Sequence, residues 1–94
     1  MICNLQLLGL AIGGCLCNDL RYVAHELGVR LLSIEVDVTI RFEGNPTLAT
    51  AAAVVVRVDA ADKKTDVQSL IERALVISTV ANSVQRGLAV TVTH

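Results

Sequence analysis

The N-terminal segment carries the feature that most constrains the fold, a helical pattern that begins apolar on every side. Nearly all residues in the first half of this segment are apolar, and polar residues appear from Asn18 onward. The pattern predicts a helix over residues 4–27 that ends at Gly28. A helix apolar all round is buried within a domain or between subunits. The apolar residues at helical steps of three and four are Leu5, Leu8, Ile12, Leu16, Leu20, Val23 and Leu27.

The apolar run of this helix differs from a membrane span and from a secretory signal. The run from Leu5 to Cys17 is shorter than the roughly 20 residues that cross a bilayer. No basic residue precedes it, although a secretory signal requires one. We therefore expect no membrane partner. Ile12 to Cys15 loosely resembles a bacterial lipoprotein cleavage site, which leaves an exported lipoprotein cleaved before Cys15 as a further reading.

The composition limits the partners of the chain. Its 94 residues suffice for a single domain over 1–94. However, 53% are hydrophobic and the net charge is −1. So large an apolar content predicts a homo-oligomer that buries part of the N-terminal helix, and the lack of a basic stripe argues against nucleic acid. The odd set of Cys3, Cys15 and Cys17 favours reduced thiols and a cytoplasmic location.

After Gly28 the pattern changes from a helical period to a period of two. Residues 33–43 alternate between apolar and polar side chains, and a second run covers residues 50–59 beyond a turn at residues 43–46. Two runs joined by a short loop predict neighbouring antiparallel strands.

The last third of the chain predicts two helices and a closing strand. Thr65, followed three residues later by Gln68, is the predicted N-cap of the first helix. A shorter helix over residues 80–86 is predicted to end at Gly87, and residues 88–93 alternate as a final strand. The predicted fold class is α+β, with a long central helix, an antiparallel sheet and the order α-β-β-α-α-β.

Three glycines lie within the predicted N-terminal helix, at Gly9, Gly13 and Gly14. Each glycine costs a helix on the order of 1 kcal/mol relative to alanine. Their presence therefore indicates close contact with a partner, and we expect that partner to be another helix rather than a substrate.

Any chemistry of this chain depends on its cysteines. Cys15 and Cys17 lie about 200° apart around a helix, so they cannot pair with each other. His25 and His94 supply too few further ligands for zinc, and we predict no metal and no cofactor. Asp19 shares the helix face of Cys15 and would disfavour its thiolate. The residues alone leave two interpretations of the role of Cys15. It is either a small buried hydrophobic residue or a reactive thiol that is activated by groups elsewhere in the fold or by another subunit.

The segment from Leu7 to Leu16, LLGLAIGGCL, resembles the central-helix signature of the OsmC/Ohr family (osmotically inducible protein C and organic hydroperoxide resistance proteins). Residues 25–38 are similar to the family's passage from this helix into a strand. Residues 80–90 resemble its closing segment. The resemblance covers nearly the whole chain, in order, and implies an OsmC-like domain that lacks the family's N-terminal strands.

The resemblance implies thiol-dependent reduction of hydroperoxides in an intertwined homodimer. Cys15 matches the cysteine that attacks the peroxide. Ser78 stands at the position of the resolving cysteine, so an active chain would be a one-cysteine peroxidase that uses an external thiol reductant. Gly14, Leu16 and Asn82 are weaker candidates for binding. The alternative is a non-catalytic module of the same fold that binds a small ligand or assembles into oligomers.

Overall fold

The computed structural model describes residues 4–93, and its order of elements is helix, strand, strand, helix, helix. This α+β architecture confirms the predicted fold class. It also confirms the bounds predicted for the first helix and the ends of two helices at Gly28 and Gly87, which have φ of +69° and +71°. The elements are α1 (Asn4–Leu27), β1 (Leu31–Glu43), β2 (Leu48–Ala60), α2 (Val67–Ile77) and α3 (Thr79–Arg86).

β1 and β2 form an antiparallel hairpin, as the alternating pattern predicts. Val36 pairs with Val56, and Val38 pairs with Val54. Because side chains alternate along a strand, these apolar residues share one face, and α1 packs against the β1 part of it. On the opposite face the Arg57 guanidinium donates hydrogen bonds to the Glu35 and Asp37 carboxylates. These bonds raise the pKa of Arg57 above its ordinary value.

The hydrophobic core lies between the second half of α1, α2 and the nearer end of the hairpin. Leu20 and Ala74 are completely buried, and partly buried strand residues such as Ile34 and Val58 pack against the core. The first half of α1 extends beyond this core and keeps Leu7 and Leu10 exposed. The buried members of the core are Leu16, Leu20, Val23, Ala24, Leu70 and Ala74.

The N-cap of α2 is Asp66, so the predicted cap at Thr65 is wrong by one residue. The Asp66 carboxylate accepts a hydrogen bond from the Ser69 N–H at 3.1 Å. A carboxylate at this position satisfies a free N–H and also interacts favourably with the helix dipole. The Thr65 N–H instead bonds to the Asp62 carbonyl in the preceding turn.

The predicted closing strand is absent from the part of the chain that the structure describes. Residues 88–93 have no strand pairing, and the side chains of Leu88, Val90 and Val92 are exposed. A strand forms only against the hydrogen-bonding edge of a neighbour. The alternation of apolar and polar residues predicts a strand-like segment, but it does not show whether a neighbouring strand is present for it to pair with.

Two of the three glycines in α1 face a strand, so the expected helix–helix contact is wrong for them. A Cβ at Gly13 would lie 3.3 Å from Val38 Cγ2, and one at Gly9 would lie 3.6 Å from Ile40 Cδ1. A Cβ at Gly14 would meet nothing within 4 Å. Gly9 and Gly13 therefore let α1 approach β1 closely.

The complete first helix is longer than its apolar run. Gln6–Leu27 is long and apolar enough to cross a membrane by length and composition, whereas the run from Leu5 to Cys17 alone is too short. The core helix of a soluble protein has the same length and composition. Here 28% of the apolar window is buried inside the structure, where the helix packs against β1, α2 and α3.

We predict that Leu70→Ala destabilises the fold far more than Leu75→Ala, although both change the same side chain in α2. Leu70 is 1% exposed in the core and Leu75 is 42% exposed. Truncation of a buried leucine lowers the free energy of unfolding by about 2–5 kcal/mol. Urea unfolding monitored by circular dichroism measures the free energy of unfolding of both variants. Equal losses would contradict the packing of α2 on α1 through Leu70.

Candidate functional site

The site centres on Cys15, a half-buried residue of α1 that faces the junction between α2 and α3. Ser78 is the single residue between those two helices, and its side chain is completely buried. The Ser78 hydroxyl donates a hydrogen bond to Cys15 Sγ over an O–S distance of 3.8 Å. The fold thus brings together two candidate residues that lie 63 positions apart in the chain.

The position of Ser78 follows from the helix before it. Leu70, Ala74 and Ser78 are spaced by four residues and are all buried, so they follow one face of α2. At Ser78 the backbone leaves the helical conformation, with φ −68° and ψ 105°, and α3 begins. A serine at such an N-cap usually accepts a bond from the first turn. Ser78 makes no such bond, and its hydroxyl is directed to the sulfur instead.

Asp19 is the third member of the site. It lies one turn after Cys15 on the same face of α1, as the sequence indicates, and it is half-buried. The Cys15 thiol donates a hydrogen bond to Asp19 Oδ2 over 3.5 Å. The sulfur therefore has a hydroxyl donor on one side and a carboxylate acceptor on the other. A thiol so placed has a group that can receive its proton and a group that can stabilise charge on the sulfur.

The three weaker binding candidates lie in different surroundings. Gly14 is exposed on α1, while Leu16 is 1% exposed in the core and offers a ligand no accessible side chain. The Asn82 amide donates bonds to the carbonyls of Leu75 and Val76, at 3.2 and 3.1 Å. Asn82 thus satisfies carbonyls at the end of α2. A binding role for these residues stays a prediction.

Cys17 lies on another side of α1 from Cys15, in a groove of about 640 Å³ between α1 and β1. Both cysteines are free thiols, and Cys3 lies outside the described residues. Sequence reasoning missed this groove, although the spacing of Gly9 and Gly13 opposite an apolar strand face was its signal. The groove is lined by Gln6, Gly9, Leu10, Gly13, Gly14, Cys17, Val36, Val38, Ile40 and Phe42.

The one histidine within residues 4–93 is not part of the Cys15 site. His25 is exposed near the end of α1 and lines a separate pocket of about 340 Å³ with Arg21 and Ser33. Within the same residues, no three His, Cys, Asp or Glu side chains form a group that could hold a metal ion. The side-chain hydrogen-bond partners of Cys15 Sγ in this structure are a hydroxyl and a carboxylate.

Comparison with known proteins supports the family resemblance. The sequence model of the family described as OsmC-like protein matches residues 4–93. Among solved structures, an OsmC-like hydroperoxide resistance protein from Jannaschia sp. CCS1 has a similar fold, with a TM-score of 0.74 and 20% sequence identity. The match covers 99% of this chain and 65% of that protein, so the chain spans about 65% of its length. No curated protein matches the chain.

We predict that Ser78→Cys forms an intrachain disulfide with Cys15. A thiol in place of the Ser78 hydroxyl, now 3.8 Å from Cys15 Sγ, reaches bonding distance by side-chain rotation. Thr79→Cys is the control because residue 79 is exposed. Peptide mass mapping after mild oxidation should find the cross-link in the first variant and not in the second. A cross-link in neither variant would contradict the contact.

Proposed function

Since the chain belongs to the OsmC-like protein family, we propose that it reduces organic hydroperoxides through Cys15. The observation that carries this proposal is the contact between Cys15 and Ser78. The family resemblance assigns these two positions to the attacking and the resolving cysteine, and they are neighbours here. The Jannaschia protein named for hydroperoxide resistance, which has a similar fold, also supports the proposal.

In the proposed reaction the Cys15 sulfur attacks the terminal oxygen of the hydroperoxide. An S–O bond forms and the O–O bond breaks. The alkoxide leaves as an alcohol after it gains a proton, and the product on the chain is Cys15 sulfenic acid. The peroxide is reduced by two electrons that come from the sulfur.

Ser78 determines how the Cys15 thiol is regenerated from the sulfenic acid. A hydroxyl cannot form a disulfide with the sulfenic acid, so resolution inside the chain through residue 78 is blocked. An external thiol condenses with the sulfenic acid and releases water, and a second thiol reduces the mixed disulfide. The chain is then a one-cysteine peroxidase that depends on a thiol reductant. Such a reductant, and the free state of Cys15 and Cys17, favour a reducing, cytoplasmic compartment.

The second candidate function is that of an assembly module, and the exposed surface of the chain favours it. A compact monomer of 10.0 kDa exposes about 5,200 Å², whereas this chain exposes 7184 Å². Its radius of gyration is 15.6 Å, against about 12 Å for a compact domain of this length. The excess of about 2,000 Å² exceeds the roughly 800 Å² that one partner buries in a standard interface. We infer that copies associate, and we place the contact on the first half of α1, where Leu7 and Leu10 are exposed beyond the core.

Cys15→Ser should abolish the reaction with peroxide. In the wild-type chain, cumene hydroperoxide should generate a sulfenic acid at Cys15 that dimedone traps, because Cys15 is half-buried rather than fully buried. Cys17→Ser is the matched control on the same helix and should keep the adduct. Peptide mass mapping locates it. A wild-type chain that shows no adduct and keeps all its thiols would exclude the peroxidase and favour the non-catalytic module.

Leu10→Glu should dissociate the proposed oligomer. Leu10 is 64% exposed on α1 and lines the groove beside β1, so burial of a charge there is unfavourable. The control is Val76→Glu, because Val76 is 77% exposed but lies on α2. Light scattering at micromolar concentration should give a multiple of 10.0 kDa for the wild type and the control. A wild-type mass near that of one chain would contradict association.

A further inference from the structure

The Cys15 thiol is held between two hydrogen-bonding groups of different character. The Ser78 hydroxyl donates to the sulfur over 3.8 Å, and the thiol donates to Asp19 Oδ2 over 3.5 Å. Ser78 is completely buried, while Cys15 and Asp19 are half-buried. Cys15 is thus not sealed in the core, and its thiol proton is directed at a carboxylate.

A cysteine attacks as the thiolate, so a reactive site must remove the thiol proton. Within residues 4–93, the hydrogen-bond partners of this sulfur are a hydroxyl and a carboxylate rather than a cation. As a fixed negative charge the carboxylate would disfavour the thiolate. As a base it can instead assist the reaction, because it takes the proton while the sulfur attacks, and the charge that develops on the sulfur then lies beside a carboxyl group that is becoming neutral. The total charge of the pair is unchanged, and no two like charges face each other.

We propose that Asp19 is the general base of Cys15. Its carboxylate accepts the thiol proton as the sulfur attacks the terminal peroxide oxygen. The O–O bond breaks, and the same proton passes to the departing alkoxide, which leaves as the alcohol. Asp19 ends ionised as it began, and Cys15 ends as the sulfenic acid. The Ser78 hydroxyl stabilises the negative charge on the sulfur in between. The peroxide step of this proposal rests on the proposed function.

Asp19→Asn separates a base from a mere neighbouring charge, because the two roles predict effects of opposite sign. Asparagine has nearly the shape of aspartate but cannot take the proton. If Asp19 is the base, the oxidation of Cys15 by cumene hydroperoxide at pH 7 slows by about 100-fold or more. If Asp19 acts only as a charge, its removal favours the thiolate and the oxidation speeds up. An unchanged or faster rate would overturn the proposal.

Three further measurements keep the test specific. Asp19→Glu should recover part of the rate, since it restores a carboxylate. Glu26→Gln makes the same charge change at an exposed position of α1 and should leave the rate unaltered. The defect of Asp19→Asn should shrink at about pH 10, where an ordinary cysteine ionises without help.

Circular dichroism checks that each variant is folded. A defect of equal size at both pH values would indicate a structural role and overturn the proposal.

Alkylation of Cys15 by iodoacetamide separates this proposal from the peroxidase activity itself. Alkylation also needs the thiolate but involves no peroxide. If wild-type Cys15 is not oxidised but its alkylation at pH 7 slows in Asp19→Asn, the base stands and the peroxidase fails. If oxidation occurs at the same rate in both chains, the peroxidase stands and the base fails.

Discussion

The packing of α2 against the second half of α1 is the contact on which the rest of the structure depends. Leu70 and Ala74 meet Leu16 and Leu20 in the core, and the same face of α2 continues to Ser78. Apolar burial of this kind is the main favourable term in folding. Here it also determines which residue lies opposite Cys15. The hydroxyl reaches the sulfur because four-residue spacing carries the buried face of α2 to the end of that helix.

The two sides of α1 serve different purposes. One side carries Cys15 and Asp19 toward the α2–α3 junction. Another carries glycines that let the helix approach β1, and it leaves Cys17 in an apolar groove. Two thiols two residues apart therefore lie in different surroundings. The polar partners of Cys15 make it the thiol suited to chemistry, whereas the groove around Cys17 belongs to the surface proposed for association.

The proposed chemistry and the proposed assembly depend on the same helix. The core occupies only its second half, while Leu7 and Leu10 in the first half remain exposed. The apolar part of α1 that lies outside the core needs another surface to bury it. Association would bury that surface and stabilise the helix that carries Cys15. The peroxide reaction itself, as proposed, uses atoms of one chain.

Local patterns in the sequence determined most of the secondary structure. Helical spacing predicted α1, alternation predicted the hairpin and its apolar face, and Gly28 and Gly87 ended helices because only glycine enters positive φ without strain. The family resemblance indicated Cys15 and Ser78. These features depend on neighbours in the chain, which a sequence displays directly.

The tertiary structure alone decided the contacts between distant residues. It brought Ser78 to Cys15 across 63 positions and turned Asp19 from a nearby charge into a hydrogen-bond acceptor of the thiol. It directed Gly9 and Gly13 to a strand rather than a helix, and it left residues 88–93 unpaired within the described chain. Spacing along a chain specifies which face a side chain occupies. What that face meets depends on how the elements pack, and only the folded structure contains that information.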